Sequence, residues 1–306
     1  MPGVTVVTRQ SHPSLYVPGA YSVMIDRWNQ AEKLRTQLGK PIRGQDREWV
    51  EMYKLPTMGL IPPKIEKAPM DHIEVPDGFV KRLTNVTYAA RFERSRESIM
   101  DAKYGVLGDY EGLELTASMN ETLESIFTDL AFNDGFDTTT TADAAYLYSA
   151  SHYAMVGGST WSNLIATPSA PTPITIWAAI NQMRAWKDSG GYRQAWIEPT
   201  TIICRPADEQ AVRESLESAM WPLDDSNRNN ILKTRFNINI VVNPRLTGNS
   251  WFLASKKDME IYYWDRAALE LKSEGDFATT DSSFSVWCRF GCGAYSGKGI
   301  IGNEGA

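Results

Sequence analysis

The chain has 306 residues, of which 42% are hydrophobic and 22% are charged, a composition typical of folded globular proteins. Its formal net charge of −6 provides no overall positive field, so sequence-specific binding to nucleic acid is not expected. We find no run of about 18 apolar residues and no signal-peptide pattern at the start, which predicts a protein without a membrane partner, kept in a cytosol-like compartment.

The N-terminal part predicts an arm followed by helices. Residues 1–23 mix prolines with β-branched residues without a sustained period, as in an extended arm that needs another surface to lie on. Residues 24–38 carry apolar side chains, including Trp28, at helical spacing, and Gly39 ends the pattern. A second short helix is predicted at 46–53.

The next stretch predicts a protruding ribbon. Residues 56–79 contain five prolines, too many for a helix interior or a central strand, yet they retain apolar side chains. Residues 80–94 are rich in valine, threonine, tyrosine and phenylalanine and resemble a long strand. Together they suggest a two-stranded ribbon over 56–94, which would be marginal in water unless it packs on something else.

The strongest helix is predicted at 109–133, where apolar residues recur every three or four positions. Further along, Thr172 and Pro173 are typical of a helix start, and a second helix is expected at 207–220. The strands expected beside them are 200–206, 237–244, 250–255, 259–264 and 284–292. Helices interleaved with strands indicate a mixed α/β unit.

A search for catalytic chemistry starts at "SHYAMVGGSTWSNL", residues 151–164. A hydrolase using Ser151 or Ser159 with His152 is an alternative, but the G-x-S-x-G arrangement of a nucleophile elbow is absent. "GAYSGKG" at 293–299 departs from the phosphate-binding loop, and we find no metal-binding spacing. The sequence therefore predicts no catalytic residue, no cofactor and no metal site.

An arm, a ribbon and a long amphipathic helix carry more apolar surface than one compact monomer can cover, so they call for neighbouring subunits. The side chains expected to make assembly contacts are Trp28, Ile61, Lys64, Ile65, Lys67, Ile73 and Lys81.

The chain resembles the major capsid proteins of tailed bacteriophages, in particular the Mu-like major head subunit family. "FVKRLTNVTYAARFERSRESIMDAKYGVL" is similar to that family's strand and short helix ending in Asp-x-x-Tyr-Gly. "AAYLYSASHYAMVGGSTWSNLI" resembles its phrase Leu-Phe-Ser-x-x-His-Pro followed by a glycine turn and Ser-Asn-Leu, although Tyr148 and Tyr153 replace the usual phenylalanine and proline. The resemblance runs in order from about residue 55 to the C-terminus.

The resemblance implies an α+β protein with the Hong Kong 97 capsid fold. Its implied parts are an N-terminal arm (1–23), the start of a peripheral domain (24–55), an extended loop (56–94), the peripheral domain with its spine helix (95–170), a mixed α/β axial domain (171–258), a return through the peripheral sheet (259–290) and a C-terminal segment of the axial domain (291–306). In this arrangement residues 151–164 form a loop between spine helix and axial domain, with Gly157 and Gly158 providing backbone freedom.

The implied function is structural rather than enzymatic. Pentamers and hexamers of the chain would close into an icosahedral shell around double-stranded DNA, which the protein contacts without sequence specificity. Scaffolding, portal and decoration proteins are the other expected partners, and the expected location is the virion, after assembly in the host cytoplasm. Some members of the fold crosslink through a loop lysine, but nothing marks a reactive partner for Lys64, Lys67 or Lys81, so no crosslink is predicted. The alternatives are an encapsulin-like compartment for a protein cargo and the serine hydrolase using His152.

Overall fold

The structure is a computed structural model. It describes residues 28, 33–67, 69–70, 72–73, 77–95, 97, 101, 107–155, 159–222, 228–275 and 282–306. The predicted arm at 1–23 and the Gly157–Gly158 turn lie outside these residues. Of the helix predicted at 24–38, the described part comprises Trp28 and a helix at Leu34–Leu38.

The helices of the described residues are α1 (Leu34–Leu38), α2 (Leu107–Thr128), α3 (Pro173–Ala185), α4 (Glu209–Glu217) and α5 (Ile231–Arg235). Helix α2 continues as a π-helical turn, Asp129–Asn133, which confirms the long helix predicted at 109–133. Helix α3 starts where the sequence indicates, because Thr172 and Thr175 form a capping box ahead of it. No helix in the described part of the chain is both long and apolar enough to cross a membrane.

Twelve strands are described. They are β1 (Lys40–Pro41), β2 (Trp49–Tyr53), β3 (Val80–Thr84), β4 (Val86–Arg94), β5 (His152–Tyr153), β6 (Thr160–Trp161), β7 (Thr201–Cys204), β8 (Asn239–Val242), β9 (Trp251–Ala254), β10 (Glu260–Gly275), β11 (Ser282–Ser296) and β12 (Ile300–Asn303).

The first four-stranded sheet has the order β1-β10-β11-β4 and packs against helix α2. Met119, Leu123 and Phe127 recur every four residues along the helix and are buried in this core. The strands predicted at 259–264 and 284–292 are the inner parts of β10 and β11, which extend outward as an antiparallel pair. This pair is the longest ribbon among the described residues.

The second four-stranded sheet has the order β12-β9-β7-β8, with β7 and β8 parallel and the other neighbours antiparallel. All four residues of β7, β9 and β12 are buried, and helices α3 and α4 contribute Ile176, Ile180 and Val212 to the same core. The mixed α/β unit predicted for this half of the chain is confirmed. The chain crosses between the two sheets when β11 leads into β12.

Two local predictions are wrong. Residues 46–53 contain strand β2 rather than a helix, because Val50 and Met52 alternate onto a small core with Leu83 and Trp264. The ribbon predicted over 56–94 also differs, since β3 pairs with β2 and not with 56–79, whose described residues contain no strand.

The single strand predicted at 80–94 is divided at Asn85 into β3 and β4, which belong to different sheets. The Asn85 side-chain amide donates to the carbonyls of Arg47 and Glu48, and its oxygen accepts from the indole N–H of Trp264. These bonds fix the chain at the point where it leaves one sheet for the other.

Candidate functional site: the His152 cluster and the exposed segment

His152 lies in β5, which forms a short hairpin with β6 by pairing over two residues in each strand. Its imidazole is buried. Its Nδ1 is 2.9 Å from Oδ2 of Asp143, and its Nε2 is 3.0 Å from Oδ1 of Asn163. The imidazole also stacks on the indole of Trp161, with ring centroids 4.5 Å apart. Every polar atom of the ring is therefore taken up by a neighbouring side chain.

The bonds of Asn163 fix which atom of its amide faces His152. Its Nδ2 donates to the carbonyl oxygens of Leu147 at 2.7 Å and Gly297 at 3.1 Å. Its Oδ1 accepts from the backbone N–H of Ser149 at 2.9 Å, so this oxygen must also face Nε2 of His152. Both imidazole nitrogens therefore face oxygen atoms of neighbouring side chains.

The Asp143 carboxylate receives donors from several directions. The Thr141 hydroxyl and the backbone N–H of Tyr153 donate to it in addition to His152. Burial raises the pKa of Asp143, but the hydrogen bonds from His152 and Thr141 outweigh burial, and the pKa falls to about 2. The cluster is therefore a buried imidazole–carboxylate pair whose polar atoms have hydrogen-bond partners.

This geometry does not fit a serine–histidine couple. A nucleophilic serine must lie within hydrogen-bond reach of the base, and the base must have a free nitrogen for its proton. The side chains of Ser151 and Ser159 are exposed, whereas both nitrogens of His152 are occupied by Asp143 and Asn163. The cluster holds loops together instead, because it connects residues 141–153, the β5–β6 hairpin and the turn after β11.

A lysine from the turn after β11 lies over the Trp161 ring of this cluster. The Lys298 ammonium is 5.3 Å from the centroid of the Trp161 ring and donates to the carbonyl oxygen of Lys187 at 3.0 Å. Burial lowers the pKa of Lys298 to about 8, with a further contribution from the positive charge of Lys54. Within the described residues there is no group of three metal-ligating side chains, here or elsewhere.

The second notable feature is an exposed apolar segment, which we define as residues 53–70. Ile61 is 85% exposed and Ile65 is 76% exposed. The other large apolar side chains exposed in the segment are Tyr53, Leu55, Met58, Leu60 and Met70. Scattered single apolar residues are normal on a surface, but such a concentration in one segment is typical of an interaction site.

The structure separates the residues predicted to make assembly contacts into two groups. Ile61, Lys64, Ile65 and Lys67 lie exposed on the apolar segment, and Ile73 is half-buried.

Lys81 and Trp28 contact their own chain. The Lys81 ammonium donates to the Thr140 hydroxyl at 3.0 Å. Trp28 packs against the first core, with the Lys33 ammonium 4.5 Å from its ring. The structure thus brings four of the seven predicted residues together on one exposed segment.

Sequence reasoning did not find the partners of His152. Asp143 lies in a polar connector that resembles solvated turn residues, and Asn163 ends a serine-rich stretch. The available signal was the spacing, since both residues are close to His152 along the chain and Asp, Asn and His are the residues that complete small polar networks.

Comparisons with known proteins agree on one class. A family model described as "Phage capsid protein" matches residues 81–303, well over half of the chain. No curated protein matches.

Several solved structures share the fold. The capsid of a native GTA particle has a TM-score of 0.60 at 12% identity, with 89% of each chain covered. A structure from Microbacterium phage Oxtober96 has a TM-score of 0.57 at 12% identity, covering 90% of this chain and 92% of that one. A virus-like particle from Pyrococcus furiosus has a TM-score of 0.52 at 14% identity, covering 94% and 99%. At these identities the similarity establishes the fold, which is the Hong Kong 97 capsid fold implied by the sequence.

Proposed function

The chain belongs to the family of phage capsid proteins, and we propose from this premise that it forms pentamers and hexamers that close into an icosahedral shell around double-stranded DNA. Assembly takes place in the host cytoplasm, and the protein contacts DNA without sequence specificity. Separate scaffolding, portal and decoration proteins are its further partners. Its place within the Mu-like subfamily is part of the same proposal, supported by the "YSASHYAMVGGSTWSNL" stretch.

The observation that carries self-assembly is the exposed apolar segment. Each large apolar side chain is stabilised by about 1.5–3 kcal/mol when it is moved from water into a packed environment. Leu60, Ile61 and Ile65 gain little of this within their own subunit, because they remain 71%, 85% and 76% exposed. A neighbouring copy that covers them supplies the missing burial, and it does so at every subunit of a closed symmetric shell.

The acidic balance of the chain is compatible with a container for DNA. A net charge of −6 disfavours tight binding to phosphates, so packaged DNA would be confined by the shell rather than held by it. The alternative of a protein-cargo compartment is not favoured, because the matching family is that of phage capsid proteins.

The experiment that tests this function replaces Leu60, Ile61 and Ile65 together by serine and measures assembly by light scattering and negative-stain electron microscopy. We expect a folded subunit that no longer forms shells. The matched control is Glu66→Ser, which alters the same segment without removing apolar surface and should assemble normally. Intact shells from the triple variant would contradict the role of the segment.

DNA content distinguishes the shell types. Particles made in infected cells should protect double-stranded DNA from nuclease, whereas a shell that contains an enzyme and no nucleic acid would favour the cargo compartment.

A further inference from the structure

One residue of the second half of the chain combines two unfavourable features. Trp196 is 85% exposed, although tryptophan is the largest apolar side chain. Its φ angle is 53°, in the left-handed region, which bulky residues rarely adopt. Among the described residues, the other non-glycine residues with positive φ are Lys67 and Ala144.

The backbone on both sides of Trp196 is fixed, so the side chain is held outward. The N–H of Ala195 donates to the carbonyl oxygen of Trp186 at 2.9 Å. On the other side Ile197 is buried in the second core, and Glu198 pairs with Arg184 at 2.7 Å. Because both neighbours are anchored, the backbone at Trp196 is held in this conformation.

An exposed tryptophan on a left-handed backbone destabilises an isolated subunit in two ways, through lost burial and through backbone strain. Both features are used at binding surfaces, where strained residues cluster and where tryptophan is enriched among the side chains that dominate the binding free energy. We propose that Trp196 is an anchor residue that inserts into a neighbouring copy of this chain in the shell. This inference rests on the proposed function and adds a specific contact to it.

The occupant is a second copy because the turn at 187–194, closed by an antiparallel bridge between Lys187 and Gln194 just before Trp196, also holds the start of the exposed apolar segment. The hydroxyl of Ser189 accepts from the backbone N–H of Thr57 at 3.3 Å, and the backbone N–H of Gly190 donates to the Thr57 hydroxyl at 3.0 Å. The Arg193 guanidinium donates to the carbonyl oxygen of Met58 at 3.0 Å. The turn that precedes Trp196 is therefore bonded to the start of the exposed segment, so a copy that docks there meets the unit that carries Trp196.

Two variants of Trp196 distinguish the effect of its backbone strain on stability from the effect of its side chain on assembly. Trp196→Gly removes the indole and relieves the strain at once, because glycine adopts positive φ freely. We expect its unassembled subunit to melt at the wild-type temperature or above, while the protein concentration needed for half-maximal assembly rises at least about tenfold. Trp196→Asn is the second variant, since asparagine tolerates the left-handed region. The matched control is Ala144→Gly, which relieves strain without removing a large side chain and should leave assembly unchanged.

Each outcome decides the proposal. Assembly of Trp196→Gly and Trp196→Asn at the wild-type concentration would overturn it while leaving the proposed function intact. A large drop in the melting temperature of both unassembled variants would also overturn it, because Trp196 would then stabilise its own subunit. Failure of the wild-type chain to assemble under any condition would instead remove the proposed function, and this inference with it.

Discussion

The imidazole of His152 and the carboxylate of Asp143 form a buried pair, with Nδ1 and Oδ2 2.9 Å apart and side chains that are 1% and 8% exposed. The pair lies where the loop after the long helix, the β5–β6 hairpin and the turn after β11 meet. It explains the apolar-Ser-x-x-His phrase in the sequence as a structural element.

His152→Gln removes the imidazole that Asp143 contacts and that stacks on Trp161. Leaving a buried carboxylate without a hydrogen-bond partner typically costs about 1–3 kcal/mol or more, so we expect a loss of about 3 kcal/mol in the free energy of unfolding. Urea unfolding of the unassembled subunit measures it. His72→Gln is the matched control, because His72 is exposed, and it should change stability by less than about 0.5 kcal/mol. Equal stability of both variants would show that the pair does not hold the loops.

The lowered pKa of Asp143 predicts that the stability of the subunit depends on pH in acid solution. Its pKa in the folded subunit is about 2, below its ordinary value of 3.8, so its contribution to stability is present above pH 4 and is lost as the pH falls towards 2. Asp143→Asn should lower stability at pH 7 and flatten its decline between pH 4 and 2. Acid unfolding followed by circular dichroism measures the two curves. Parallel curves would mean that Asp143 titrates alike in the folded and unfolded chains.

The absence of a side chain at Gly297 lets its backbone lie close to the His152 cluster. A Cβ at this position would lie 2.5 Å from Nδ2 of Asn163 and 2.9 Å from Nε2 of His152, both inside contact distance. Gly297→Ala should therefore destabilise the subunit by about 1–3 kcal/mol through overpacking. Gly59→Ala is the control, since the nearest atoms to its Cβ are those of Tyr192 at 3.8 Å. Thermal melting compares the two variants, and similar melting temperatures would argue against a tight junction.

The buried pair of Arg35 and Glu124 attaches α1 to the long helix. Their side chains are 2% and 0% exposed, and the backbone N–H of Arg35 also donates to the Glu124 carboxylate at 3.0 Å. Glu124→Leu should cost about 3–5 kcal/mol because it leaves the Arg35 charge buried without its partner. The double variant Arg35→Met with Glu124→Leu should lose much less, since no buried charge remains. A double-mutant cycle in urea measures the coupling, and strictly additive losses would contradict it.

The sequence predicts best those elements whose apolar spacing or capping residues lie within the element itself or directly beside it. The long helix follows from apolar residues at steps of three and four, and α3 follows from Thr172 and Pro173. The start of α3 is correct because its cap is local, with Thr172 bonding to Thr175 three residues later.

The wrong predictions concern strand pairing, which depends on residues far apart in the chain. Strand β3 pairs with β2 because Val50 and Leu83 share a core with Trp264, about 180 residues further along the chain than Leu83, and no local pattern contains that partner. The division at Asn85 likewise depends on the indole of Trp264. The sequence also does not indicate the local conformation beside Asp143, because Ala144 has a φ of 64° and positive φ is not expected at alanine.

The measurement that tests the central claim most directly is light scattering combined with negative-stain electron microscopy on the purified chain, alone and with the products of its neighbouring genes. Our account predicts rings of five or six subunits, or closed shells, under at least one of these conditions. A compact monomer under every condition would contradict it.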